Sequence, residues 1–278
     1  MRLVIYHGNC YDGVTAAYVC WLMFKDNAEY IPFNYSDSAP DVTGLDVVIV
    51  DFSFKRGVIL KMKEQANSLL ILDHHKTAEA ELQGLDYAIF DMNRSGAGLT
   101  WDYYFGDQLI SQPSQNRPIL VDYIEDRDLW RFQRKNSKEV NALFQSYDIE
   151  LKTWIEEVSK LDERPFEQLV SEGTAILRKQ NSLVKAICAN AELRNLPQPD
   201  GHINAGPYVQ TSVLMSEVCD EMIKNFDSNF SWYSFRRKDG KIQYGLRSRG
   251  DFDVSAIAKR FGGGGHKNAA GFELNKEL

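Results

Sequence analysis

Histidine and aspartate recur in this chain in places where they could act together. Asp73-His74-His75 follows the apolar run Ser68–Leu72, so two imidazoles and a carboxylate stand at the mouth of a predicted strand. Asp51 likewise follows the apolar run Asp46–Val50, and His7 follows Leu3–Tyr6. Asp12 comes just after His7, and Asp122, Asp126 and Asp128 lie together along an apolar helical stretch. Mixed oxygen and nitrogen donors suit manganese, iron or magnesium better than a thiolate zinc site. Several carboxylates turned into one cleft repel one another, and a divalent cation relieves that repulsion. Two such cations would orient a phosphoryl group, activate water and stabilise a leaving oxygen. Taken singly, each residue has an ordinary alternative. His7 could simply end a strand, Asp12 could serve a turn, and Asp51 could cap the next helix. Spacing alone does not separate Asp122, Asp126 and Asp128. Cys10 reads as a packing thiol, because no second cysteine is near it.

A second group lies near the C-terminal end. Gly262-Gly263-Gly264-Gly265-His266 is read as a loop whose glycines leave backbone N–H groups open to an anion. His266 adds a switchable donor, and Arg247 and Arg249 offer guanidinium forks for phosphate. Trp130 and Tyr208 could stack on a base, although burial in the core is the commoner fate of such rings.

The elements that must hold these groups alternate. Strands are predicted at Leu3–Tyr6, Tyr30–Phe33, Asp46–Val50, Ser68–Leu72 and Tyr87–Phe90, with helices over Val14–Phe24, Lys55–Gln65 and from Ser95 onward. Continuous apolar strands alternating with helices predict a parallel sheet covered on both faces, with its chemistry at the C-terminal strand ends. Pro118 to Lys185 reads as mostly helical, and a long helix is predicted over Pro165–Ala191. Leu196–Gly201 is rich in turn residues and reads as a boundary. Beyond it come a helix at Glu217–Phe226, a hairpin about Asp239-Gly240, and a helix at Val254–Phe261. The expected class is α/β: residues 1–165 form a metal-binding catalytic domain, 166–195 a helical linker, and 196–278 a smaller α/β domain for substrate.

Bulk composition narrows the partners. The chain has 278 residues, 44% hydrophobic and 26% charged, with a formal net charge of −7. That acidity argues against wrapping a long duplex and favours a short nucleic acid held in a local positive cleft. No apolar run is long enough for a membrane span. Leu3–Tyr6, closed by His7, is too short for a signal-peptide core. Four cysteines without a CxxC pair suit a reducing compartment, so a cytoplasmic location is expected.

These motifs together resemble the DHH phosphoesterase superfamily, in particular the members with a DHH-associated C-terminal domain, among them RecJ-type exonucleases and nano-RNases. Asp73-His74-His75 matches the naming motif, and Gly263-Gly264-Gly265-His266 with Ala269-Ala270-Gly271 matches the C-terminal signature, in family order. The resemblance implies an N-terminal α/β domain holding one or two divalent ions, usually Mn2+, with Mg2+ or another divalent ion as alternatives. It implies an active site in the cleft between the two domains. His7, Asp12, Asp51, His74 and Asp126 would be the metal ligands, with Asp51 bridging and with Asp122 and Asp128 as alternatives to Asp126. Asp73 and His75 would support the catalytic group or contact phosphate. Arg247, Arg249, Gly264, Gly265 and His266 would hold the substrate phosphate. One departure stands out: the family's first motif usually carries two aspartates, and Asn9 is near the place of the first. An amide oxygen is a weaker ligand than a carboxylate, so one ion or two stays open.

The function expected is metal-dependent hydrolysis of short oligonucleotides or linear dinucleotides, by a monomer or homodimer. The alternatives are a processive single-strand exonuclease, a nucleotide phosphatase or polyphosphatase, and a non-catalytic nucleotide-binding protein.

Overall fold

In the computed structural model, which describes residues 1–34, 37–111 and 117–278, chain contacts fall into two units, Met1–Leu177 and Arg178–Leu278. In the first unit, β1 (Arg2–His7) leads to α1 (Tyr11–Phe24), a 3-10 turn (Lys25–Asn27) and β2 (Ala28–Phe33). Then come β3 (Asp46–Val50), α2 (Arg56–Gln65), β4 (Ser68–Asp73), α3 (Lys76–Glu81), β5 (Ala88–Phe90) and α4 (Gly96–Ser111). The five strands form one parallel sheet in the order β2-β1-β3-β4-β5.

Side chains of these strands alternate between two apolar layers. Val4, Tyr6, Val48, Val50 and Leu72 pack on α1 and α4, whereas Leu3, Ile5, Ile49 and Ile71 pack with Ile59 and Met62 of α2. Both faces are thus covered, which is why the strands read as unbroken apolar runs. α1 is buried without a break from Asp12 to Cys20, because further helices close over its outer side. Those helices are α5 (Ile119–Asp128), α6 (Ser137–Phe144) and α7 (Leu151–Glu156), followed by a 3-10 turn (Val158–Glu163). The long α8 (Phe166–Cys188) carries the chain across the division between the units.

Register fixes where the chemistry emerges. Tyr6 is paired with Val50, and Val50 with Leu72. His7, Asp51 and Asp73 therefore leave the sheet at one level, each one residue further along its strand direction.

The second unit carries a six-stranded mixed sheet. Its elements are β6 (Glu192–Pro197), β7 (Ile203–Gln210), α9 (Met215–Asn225), β8 (Phe230–Arg236), β9 (Ile242–Ser248), α10 (Val254–Arg260), β10 (Gly264–His266) and β11 (Ala269–Leu274). Strand order is β10-β11-β9-β8-β7-β6, and among the described strands of this sheet only β7 and β8, joined through α9, pair parallel. One face packs Leu196, Tyr208, Trp232 and Phe272 against α10, and the other packs Val209 and Tyr233 against α9 and the end of α8.

Two readings of this part change. Leu196–Gly201 is no boundary but the end of β6 and the turn into β7, closed by the Gln198 N–H donating to His202 O at 2.8 Å. The turn residues that suggested a linker serve a hairpin, with Gly201 at φ +85°. Likewise Gly264–His266 is a strand paired antiparallel to Ala269–Gly271 rather than a loop. A Cβ at Gly263 would lie 2.1 Å from Gly271 O, so the glycine there serves close backbone packing. No helix among the described residues is long and apolar enough to cross a membrane.

Candidate metal centre

Three strand ends and two helix ends bring the side chains together. α1 begins hard against the end of β1: a Cβ at Gly13 would be 2.2 Å from His7 O. Asp12 sits in the first turn of α1 and is buried. Its Oδ2 accepts from Gly96 N at 2.5 Å and its Oδ1 from Ala97 N at 3.1 Å. The carboxylate thus meets the positive end of α4.

Asp51 is buried too and holds a left-handed backbone, φ +52°, rare for a residue with a side chain. Its Oδ1 lies 3.1 Å from His74 Nε2 and its Oδ2 lies 3.3 Å from His7 Nδ1. Strain of this kind persists where the surroundings over-determine it, and such positions gather at functional sites. The neighbouring Gly96 is part of the fit. A Cβ there would lie 2.5 Å from Asp51 Cβ and 2.9 Å from Asp12 Oδ2.

His74 is the buried centre of the group. Around its Nε2 stand Asp51 Oδ1 at 3.1 Å, Asp128 Oδ2 at 3.5 Å and Asp12 Oδ2 at 3.6 Å. Asp73 does not join them. Its Oδ1 accepts from the amides of His74 at 2.7 Å and His75 at 3.2 Å, and contacts His75 Nδ1 at 2.7 Å. That contact fixes the His75 ring and commits its Nδ1, the usual way a carboxylate orients a histidine beside a metal.

The electrostatics record an excess of negative charge. Burial, then the charges of Asp51 and Asp128, push the Asp12 carboxyl well above the usual carboxylate range. Burial also raises Asp128, the pull of His74 notwithstanding, and Asp51 raises it further. Burial acts upward on Asp51 as well, but hydrogen bonds from His7 and His74 outweigh it and hold that carboxyl well below the usual range. Burial opposes a charge on His74, yet Asp51, Asp128 and Asp12 raise its pKa to about 10. Burial and the same three carboxylates push the Cys10 thiol well up, in keeping with a packing role.

These residues fit a divalent cation. Donor atoms of Asp12, Asp51 and His74 all lie within 4.8 Å of one another, and so do those of His7, Asp51 and His75. Asp51 belongs to both groups. Each group mixes oxygen and nitrogen donors.

The third acid of the expected ligand set is where geometry departs from the sequence reading. Asp126 does not reach the centre. Its Oδ1 accepts from Gln133 N at 2.9 Å and its Oδ2 from Arg134 N at 3.1 Å, so it ties down the loop after α5. Asp128 is two residues on, about 200° around the helix, and faces His74 instead. Asp122 is paired with Arg117 at 3.2 Å and Arg134 at 3.0 Å.

Sequence reasoning also missed the support. Buried Glu125 accepts from Ser95 N at 3.2 Å and binds Arg94 at 3.0 Å and Arg117 at 2.7 Å. It holds the turn that aims the Gly96 and Ala97 amides at Asp12. Its one trace in the sequence is the small-residue run Ser95-Gly96-Ala97-Gly98, which by itself signals a helix start.

In the second unit, the phosphate candidates are engaged within their own fold. Arg247 donates to Ser216 Oγ from Nε at 3.2 Å and to Leu246 O at 2.9 Å. Arg249 pairs with Asp220, its Nε at 3.2 Å. Gly264 and Gly265 lie in β10, and His266 ends that strand. Tyr208 is core, whereas Trp130, expected to be core, is 39% exposed.

Fold, site and family then agree. Residues 208–278 match the DHHA1 domain, and the chain belongs to the DHH phosphoesterase superfamily. Among its relatives, uncharacterized protein R106 of Acanthamoeba polyphaga mimivirus is 30% identical over 98% of this chain and 67% of the relative. Oligoribonuclease NrnB of Bacillus subtilis is 24% identical over 99% of this chain and 73% of its own. RecJ of Thermus thermophilus, solved in complex with Mn2+, shares the fold with a TM-score of 0.54 at 15% identity, over 98% of this chain and 49% of RecJ.

Proposed function

We propose that this protein is a divalent-metal-dependent phosphodiesterase that hydrolyses short oligonucleotides or linear dinucleotides. The observation that carries this reading is the pair of donor groups sharing Asp51. Asp12, Asp51, Asp128, His7 and His74 are the residues that would hold one or two cations, Mn2+ being favoured; His75, the remaining member of the second group, is assigned to proton transfer instead. The RecJ structure, solved with Mn2+, supports the metal, and the oligoribonuclease relative supports the substrate class. A bound divalent cation supplies Lewis-acid polarisation of a phosphoryl oxygen and lowers the pKa of water.

The protein groups divide the remaining work. Asp51 keeps its charge and joins the two donor sets. Asp73 holds His75 by its Nδ1, which directs the ring to exchange a proton at the reacting phosphate. In the second domain, Arg247, Arg249, Gly264, Gly265 and His266 neutralise the substrate phosphate. For Arg249 that means exchanging Asp220 for the ligand, a swap between two anionic partners. The chain acts in the cytoplasm as a monomer or homodimer.

The test is a panel in which purified protein meets a linear dinucleotide, longer single strands, a cyclic dinucleotide and polyphosphate, each with Mn2+, Mg2+ or chelator. Mononucleotide release from the dinucleotide with Mn2+, abolished by chelator, is the expected result. Faster cleavage of long strands than of dinucleotides would favour the processive exonuclease. Phosphate release from polyphosphate alone would favour the phosphatase, and binding without turnover would leave a nucleotide-binding protein.

A further inference from the structure

The segment that follows Asp128 carries a residue that the fold alone does not account for. α5 ends at Asp128, with Leu129 as its cap. Trp130 donates from its backbone N–H to Arg127 O at 2.8 Å, and Arg131 donates to Asp126 O at 2.9 Å. That pair of bonds is the Schellman helix ending, in which the residue after the cap turns left-handed and is usually glycine. Here that residue is tryptophan, at φ +53°. A large side chain in this conformation carries a steric cost that glycine escapes.

Burial does not explain the choice, because Trp130 is 39% exposed while Trp101, Trp154 and Trp232 are buried. Its ring leans edge-on against Phe132, centroids 4.9 Å apart, and the Arg127 guanidinium lies 5.9 Å from its centroid. Phe132 is left-handed as well, at φ +48°. The segment is held in this shape by Asp126, whose backbone O and both carboxylate oxygens take the amides of Arg131, Phe132, Gln133 and Arg134. Arg131 is anchored further by donating to Asn93 O at 2.7 Å. In an acidic protein, residues 129–138 contain Arg131, Arg134, Lys135 and Lys138 and no acid.

The geometry points to Trp130 as a stacking platform for a nucleobase of the substrate, beside the scissile phosphate at the Asp51 and His74 centre. The assignment rests on the phosphodiesterase reading above and adds a residue that selects base-bearing esters. Asp128 reaches His74, and the backbone of Trp130, two residues further along, is within about 7 Å of that of Asp128, a span comparable to one nucleotide. Exposed aromatic faces with adjacent cationic groups are how single-stranded nucleic acid is held without reading its sequence. Asp126 then acts as a positioning residue for the platform.

Trp130→Gly, Trp130→Phe and the parent protein would be compared on a linear dinucleotide and on its counterpart with one abasic unit. Thermal melting would be read alongside. For Trp130→Gly, the KM for the dinucleotide rises roughly tenfold and the preference over the abasic ester falls to match. Trp130→Phe recovers most of both, and Trp130→Gly melts no lower than the parent because glycine suits the left-handed turn. An unchanged preference for the base-bearing ester overturns the proposal, as does a Trp130→Gly protein that loses binding only in step with lost stability. If the parent hydrolyses nothing, tryptophan fluorescence still decides the matter. Quenching by a nucleoside monophosphate that Trp130→Phe abolishes would sink the phosphodiesterase reading and keep the platform. Quenching equal to that by ribose phosphate would overturn the platform.

Discussion

Asp51 touches both histidines of the centre, at 3.1 Å from His74 Nε2 and 3.3 Å from His7 Nδ1, from a strained backbone at the end of β3. Replacing it by Asn keeps the volume and removes the charge that joins the two donor groups. Asp51→Asn is predicted to lower kcat/KM on the order of 10³-fold, since metal-borne charge stabilisation is worth several kcal/mol. A second comparison separates the two acids at the end of α5. Asp128→Asn should weaken Mn2+ binding in calorimetric titration about tenfold or more. Asp126→Asn should leave Mn2+ affinity alone and cost about 1–2 kcal/mol of stability in denaturant unfolding, because it weakens charged acceptors of two loop amides. Equal metal affinity in Asp128→Asn and the parent would exclude Asp128 from the site. The residue scale is also where the sequence was least legible. Asp122, Asp126 and Asp128 are alike in type, and only the turn of the helix against β4 decides which one faces His74.

Elements set the precision of the site, and α4 is the sharpest case. Its first turn fits between Asp12 and Asp51 only because Gly96 has no Cβ. Gly96→Ala is predicted to cost about 1–3 kcal/mol from overpacking and to lower Mn2+ affinity with it. Gly57→Ala in α2, where an added Cβ meets nothing within 4 Å, should instead stabilise by about 0.5 kcal/mol. Similar melting temperatures for the two variants would refute the packing role given to Gly96. α5 is held at its other end by Asp162, whose Oδ2 accepts from Ile119 N at 3.1 Å. Burial raises the Asp162 pKa from 3.8 to about 6. A carboxyl raised on folding adds stability that is complete below its unfolded pKa and is lost as pH rises through the folded value. Stability should therefore decline between about pH 4 and 6 through this group, and Asp162→Asn should flatten that part of the curve. An unchanged pH slope in the variant would contradict the assignment.

At the scale of the whole molecule, the parallel sheet was readable because apolar strands covered on both faces leave unbroken Val, Ile and Leu runs, as in Val47–Val50 and Leu69–Leu72. Their register then places His7, Asp51 and Asp73 at one level, which no local pattern states but parallel pairing enforces. The second unit was less legible. Leu196–Gly201 carries the residues of a turn, and turn residues serve a hairpin and a linker alike. A glycine run is ordinarily a loop signal, whereas β10 uses this one to bring backbones together. Glu125 and Gly96 were invisible because their roles exist only once α4 and α5 are packed. A bound ion should also speak for the whole fold. Mn2+ at a hundred times its dissociation constant is predicted to stabilise the protein by about 2.7 kcal/mol, and chelation should remove that gain. The most direct test of the metal centre is mononucleotide release from a linear dinucleotide in Mn2+ by the parent and by Asp51→Asn, both verified as folded. Turnover by the parent that chelator abolishes is expected, with the variant slower on the order of 10³-fold. Turnover by Asp51→Asn at the parental rate, or parental turnover that survives chelation, would contradict it.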